Sequence, residues 1–277
     1  MSEPKDTQPI FPPEIEEIIF SLCAQSNLEK SGNLILVAKR VYHWLKPQLY
    51  EVVIFHGDDT HGRLRFDSNL LEVHGQHVRH ILFWDLAIGT HKRYYDDPAT
   101  CLSRCPNIVN VALWNPYTVY DGTLVDQILS LPLTHLSFDV SSLHYALTKY
   151  SLSKPLIFKF VTHLELIGLD ISATMDEIER YFPSVTHIAL NADRGLPAQD
   201  ILRCWKNKLQ VLVLYFGRSI FGDNVRIADV PDDPRVIVMP QSQDYVYDWN
   251  EATRDGPGSI WRKAEVKVKR RRSEFGL

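Results

Sequence analysis

One short pattern limits what this 277-residue chain can fold into: apolar–x–x–apolar–x–apolar, repeated down most of its length. It starts at Leu49 (LYEVVI), Val78 (VRHILF), Ile108 (IVNVAL), Leu133 (LTHLSF), Val161 (VTHLEL), Val185 (VTHIAL) and Leu209 (LQVLVL), at intervals of 29, 30, 25, 28, 24 and 24 residues. The fourth and sixth positions, two apart, share one face of a strand, and the third points to the opposite face. Between the strands lie amphipathic stretches with helix signals. TLVDQILSL opens on Thr123, ATMDEIERYF carries Thr174 and Glu177 at capping-box spacing, and AQDILRCW follows Pro197. Pro106, Pro132 and Pro183 then end helices ahead of the next strand. A further short strand, Val236 to Val238, closes the series. Strand, helix, proline, strand is the rhythm of a solenoid, with parallel strands on one face and helices on the other.

Periods in the twenties around an L-x-x-L-x-L core resemble the leucine-rich-repeat family. In the slot where that family often places Asn, this chain has Leu86, Ser141, Leu169 and Asp193. The fold class expected is α/β, an irregular leucine-rich-repeat solenoid over residues 54–240. Such arrays need capped ends. The two-Trp stretch Asp248 to Trp261, with its Gly-Pro-Gly turn, suits a C-terminal cap over 241–264. Residues 1–9 are expected to be disordered.

A different segment precedes the first repeat. FPPEIEEIIFSLCAQ, from Phe11, has proline at a helix start and an i, i+3, i+4, i+7 stripe of Ile15, Ile18, Ile19 and Leu22. NLILVAKRVYHWL, from Asn33 to Leu45, reads as a second helix stopped by Pro47. So small a helical unit makes too little core to stand unaided and should dock on something. The order Phe11-Pro12-Pro13-Glu14-Ile15, then Ile18 and Ile19, then Val37-Ala38-Lys39-Arg40 with Trp44, then Pro47, Leu49 and Tyr50, resembles an F-box over residues 10–53. Followed by leucine-rich units, it is similar to the F-box-like proteins of mushroom-forming fungi. Two positions depart from that family: Ala38 stands where a small polar residue is usual, and Trp44 lies later than the usual tryptophan. The resemblance implies a Skp-family adaptor of a cullin–RING ubiquitin ligase as partner, contacted by Phe11, Pro12, Ile15, Ile18, Val37 and Trp44. Ile19, Leu22 and Leu36 are assigned instead to packing this end onto the first repeat.

Sites of chemistry are sparse. The chain lacks dinucleotide, phosphate-loop, Gly-x-Ser-x-Gly and His-Glu-x-x-His motifs. Cys101 and Cys105 have no second pair at zinc spacing and read as small buried residues. The loop His56 to Gly62 (HGDDTHG) holds two His and two Asp, but turns favour Asp and Gly for backbone reasons alone. No metal or cofactor is expected, and no catalytic residue. His80, His135, His163 and His187 occupy the third repeat position, where Asn110 and Val211 stand in other units. They read as an ordinary repeat position facing outward, with a pH-sensitive surface as the sharper alternative. His135, His163 and His187 would then stack about 5 Å apart, the spacing of neighbouring strands. Trp84, Trp114 and Tyr215 share that face at the seventh position. With the three histidines they form the expected contact surface for an unknown target protein.

Charge adds the remaining bounds. From Arg262 onward the chain carries seven Lys/Arg and two Glu, a net +5, against −9 for the rest, together the chain's −4. An acidic body is a poor nucleic-acid binder. The basic tail over 265–277, with KVKRRR from Lys267, reads as a solvated end, or else as a nuclear import signal or acidic-partner contact. No apolar run approaches the roughly 20 residues that cross a bilayer. MSEPKDTQPI lacks the apolar core of a secretory signal. Four cysteines and no Asn-x-Ser/Thr site fit a reducing compartment, cytoplasmic or nuclear. The function expected is a substrate-recognition subunit of a Skp–cullin–F-box ligase. The alternatives are a repeat scaffold without a ligase role and, least favoured, a hydrolase or metalloenzyme.

Overall fold

A computed structural model describes residues 11–26, 32–56, 68–84, 98–114, 122–139, 158–167, 175–191, 198–216, 230–240, 245–253 and 258–276. The chain divides into two compact units, Met1–Val52 and Val53–Leu277. In the first, helix α1 (Pro13–Ser26) starts where the Pro12 carbonyl accepts the Ile15 and Glu16 amides. Pro13 itself, lacking an N–H, leaves nothing unbonded in this first turn. Helix α2 (Lys39–Leu49) packs on α1 and is tied to it by the Arg40–Glu16 ion pair at 2.9 Å. The small core between them is Ala24, Val41 and Leu45, with Phe20 and Trp44 against it. The expected second helix differs in its limits: residues 35–37 form a turn, and α2 begins only at Lys39 and runs through Pro47. A proline in the last turn removes a single intrahelical bond, too little to stop a helix already anchored by Val41 and Leu45.

The second unit is one eight-stranded sheet with strands in sequence order: β1 (Val52–His56), β2 (His80–Trp84), β3 (Asn110–Trp114), β4 (His135–Asp139), β5 (His163–Ile167), β6 (His187–Asn191), β7 (Val211–Phe216) and β8 (Val236–Pro240). The pairs from β2 to β8 are parallel and hold the repeat in step: His80 pairs with Asn110, then His135, His163, His187 and Val211. The unit is thus α/β and solenoid-like, as the spacing predicts. The joints from β3 to β7 are begun in the same way. The Val109, Thr134, Thr162 and Thr186 carbonyls each accept two amides, from the second and third positions of the next unit.

Fourth- and sixth-position side chains such as Ile81, Phe83, Leu136, Leu164, Leu190 and Leu212 point to one face. There they meet Leu71 of α3 (Ser68–His74), Leu102 of α4 (Pro98–Ser103), Leu124 and Ile128 of α5 (Gly122–Ser130), Ile178 of α6 (Met175–Tyr181) and Ile201 of α7 (Ala198–Cys204). Cys101 and Cys105 are buried in this core. A 3-10 turn (Gly75–His77) follows α3. A Cβ at Gly75 would lie 2.2 Å from the Arg104 carbonyl oxygen, so the close pass of the two segments requires glycine.

Residues 241–277 depart from expectation. Helix α8 (Tyr245–Thr253) reaches back over the sheet: Trp249 meets Trp114 of β3, edge to face at 6.5 Å. The basic segment is no solvated end but helix α9 (Ile260–Glu274), lying across the strand face. Its Trp261, Ala264 and Val268 are buried against Ala189, Val211, Val213, Ile237 and Met239. The Arg271 guanidinium donates to the Val236 carbonyl and pairs with Asp232, and that of Arg272 donates to the Gln210 carbonyl. Seven cations in fifteen residues disguise an apolar stripe at i, i+3, i+7, which is enough to dock a helix. No described helix is long and apolar enough to cross a membrane.

Candidate functional site

The strand face beneath α8 and α9 gathers the polar side chains of the repeat. The third-position imidazoles of His135, His163 and His187 form a ladder, with ring centroids 4.2 Å apart at both steps and interplanar angles of 13° and 18°. Parallel register alone sets this spacing, a little under the strand separation because the rings lean together. In each unit the preceding threonine fixes the ring: Oγ1 of Thr134, Thr162 and Thr186 lies 2.8–2.9 Å from Nδ1 of the histidine that follows. The Trp261 ring meets the ladder edge-on, 5.0 Å from His163 and 5.9 Å from His187. Glu265 Oε1 approaches His187 Nε2 to 3.2 Å, an ion-pair distance without hydrogen-bond alignment.

Beside the ladder is a cavity of about 30 Å³, bordered by His135, His163, Glu165, Tyr215, Asp248 and Trp249 among others. That is room for one or two waters. A hydrogen-bond chain runs along its floor: Trp114 Nε1 donates to Ser137 Oγ at 2.6 Å, and the Ser137 and Tyr215 hydroxyls bond the Glu165 carboxyl. Burial pushes that carboxyl up to about 7; its two hydrogen bonds oppose the shift, and the charge of Asp248 adds to it. Burial, reinforced by His135 and His187, lowers His163 to about 2. His187 is lowered by burial, against the pull of Glu265. His163 and His187 therefore stand neutral at pH 7.

The expected target surface is not an open face. Trp114 and His187 are buried, and His135, His163 and Tyr215 are partly buried under or beside the two helices. Trp84 pairs in register with Trp114 and is partly exposed. The tail segment expected to leave the body instead covers this face, because Trp261, Ala264 and Val268 match its apolar half. Three features escaped the sequence reading: the roof, the threonine before each histidine, and the approach of Asp248 to Glu165, an acid whose place on this face follows from the strand alternation. The Thr-His pair was visible in LTHLSF, VTHLEL and VTHIAL, and the Trp261 stripe in helical spacing.

In the helical unit, Phe11, Pro12, Ile15, Ile18 and Val37 are exposed, whereas Trp44 packs on Phe20 at 6.5 Å and is partly buried. Ile19, Leu22 and Leu36, assigned above to internal packing, are also exposed, at 41%, 60% and 80%. The unit's core is too small to use them.

The described residues hold no group of three or more His, Cys, Asp or Glu placed for a metal ion. The ladder has the wrong shape for one, since its rings stack face to face rather than converging their nitrogens. The Cys105 thiol is pushed up to about 12 by burial. That of Cys204 is pushed up to about 11 by burial and by donating to Asp176. Neither is primed as a nucleophile. The His56–Gly62 loop, apart from the His56 backbone, lies outside the described residues. No protein-family model, curated protein or solved structure matches the chain.

Proposed function

We propose that the chain is a bridging protein of the F-box-like, leucine-rich-repeat kind. Its helical unit docks on a Skp-family adaptor, and its repeat array holds a target for a ligase acting elsewhere. The observation that carries this reading is the apolar surface of the helical unit. Ile15, Ile18, Ile19 and Leu22 along α1, with Phe11, Leu36 and Val37, are 41–80% exposed on a unit whose own buried core is three residues. A contiguous apolar stripe left uncovered marks an interaction site, and short leading prolines fix how α1 presents it. Bridging acts by effective concentration and needs no catalytic residue in this chain. On this reading the protein works in the cytoplasm or nucleus, and the target docks outside the area roofed by α8 and α9.

The packing of Trp44 against Phe20, rather than outward as an anchor, favours a second reading: a scaffold whose helical unit binds a different apolar partner. Capture of purified Skp-family adaptor by the full chain separates the two. The bridging reading expects capture by wild type and a loss of at least about tenfold with Pro12→Ala/Ile15→Asp. Failure of wild type to capture the adaptor, or equal capture by the variant, leaves the scaffold.

A further inference from the structure

We propose that the ladder of His135, His163 and His187 is a proton-operated latch, which holds helices α8 and α9 over the strand face while neutral and releases them when it takes up charge. The geometry supplies three elements of such a device. The first is crowding: with ring centroids 4.2 Å apart at both steps, a second imidazolium stands against the first with no space for water between them. The second is a bound cover. Trp261 closes the ladder's edge, and the roof's apolar contacts form a cluster of their own, separate from the core on the helix side of the sheet. The roof can therefore leave without opening that core.

The third element is the threonine at each ring. The hydroxyl partners Nδ1 of a neutral imidazole as donor or as acceptor according to the tautomer, while a protonated ring donates Nδ1–H to the same oxygen. The Thr162 hydroxyl then turns its proton to the Thr134 carbonyl, 3.2 Å away. Each ring keeps its place on protonation, so added charge is not relieved by rotation. The charged and titratable groups around the ladder are Glu165 from β5, Tyr215 from β7, Asp248 from α8 and Glu265 from α9. Glu265 pulls His187 towards the charged form, but burial outweighs that pull and the closed form keeps His187 neutral.

Glu165 sets the pH at which this happens. Release returns His163 from about 2 towards its ordinary 6.5, so below pH 6.5 falling pH favours the open form, tenfold per unit for one proton. Release also returns Glu165 from about 7 towards 4.5, so between those values falling pH favours the closed form with the same slope. From pH 6.5 to 4.5 Glu165 offsets His163, leaving only the smaller push of His187, which is lowered as well; below 4.5 the histidines act unopposed.

Hydrogen exchange on the full chain, corrected for intrinsic rates, tests the latch. In wild type, protection of residues 260–274 relative to the β4–β7 amides should stay within a few-fold from pH 6.5 to 4.5, then fall about tenfold per unit. Glu165→Gln should begin to open near pH 6.5, reaching about 100-fold lower protection by pH 4.5. His163→Phe, which keeps an aromatic in the stack and removes the proton site, should flatten the acid fall. The proposal is overturned if strands and roof lose protection together, if Glu165→Gln tracks wild type, or if His163→Phe opens as wild type does.

Discussion

Helices α1 and α9 invert the usual relation between composition and burial. α1 carries four large aliphatic residues on one stripe and leaves all of them uncovered. α9 carries seven Lys/Arg in fifteen residues and is the one that buries its stripe. What decides is the surface each helix meets. α9 faces a strand surface whose valines, isoleucine and methionine need a cover, and three side chains at i, i+3 and i+7 supply it. Within its own unit α1 packs on α2 and the turn before it, where Ala24, Val41 and Leu45 form the core with Leu34 and Ile35 against them. Apolar content that finds no surface in its own chain remains available to another.

The contrast can be broken by mutation. Trp261→Ala should cost about 3–5 kcal/mol of roof attachment, as truncation of a buried Trp does. The measure is denaturant titration alongside exchange of the α9 amides; a cost below about 1 kcal/mol would mean that α9 is not anchored by its stripe. The acid–base response of the two titrating groups beneath the roof is the next largest effect. His163, lowered in the folded state, contributes stability that is complete above pH 6.5 and is lost as pH falls towards 2. Glu165, raised in the folded state, contributes stability complete below pH 4.5 and lost as pH rises through about 7. Urea titrations should show a plateau between about pH 4.5 and 6.5, a fall of about 1.4 kcal/mol per unit below it, and above it a further loss of no more than about 0.7 kcal/mol by pH 7 and beyond from these groups. His163→Phe should remove the acid slope and turn the plateau into a rise of about 1.4 kcal/mol per unit as pH falls to 4.5, where Glu165 acts alone. Smallest of all, Leu22→Asp should change unfolding free energy by under about 0.5 kcal/mol, because nothing is lost from the core. A cost of 2 kcal/mol or more would show that α1 packs on its own chain.

The parts of this molecule that repeat were the readable parts. Seven copies of one pattern, with the short apolar run at Val236 as an eighth strand, set strand number and the split between core and outward positions, because a period-2 strand leaves no freedom of face. The roof repeats nothing. Its three anchoring residues are diluted by charge, and its position depends on complementarity to a surface assembled from distant segments. The histidines were legible as outward teeth and illegible as a buried ladder for the same reason. Their direction is a property of the strand; their cover belongs to residues 70 to 130 positions away in the chain. Glu165 was legible as an outward acid, but its raised carboxyl needed Ser137, Tyr215 and Asp248 brought around it.

The length of α9 carries one more consequence. Trp261 engages β5 and β6, and Arg271, ten residues later, reaches the Val236 carbonyl on β8. Ten helical residues measure about 15 Å. The three strand spacings from β5 to β8 come to about 14 Å. The helix is thus a gauge laid across the array, and both ends meet their partners only when the count between them is right. An open-ended stack could gain or lose a unit without changing any joint. Here the tally is kept by a helix that is not itself one of the units.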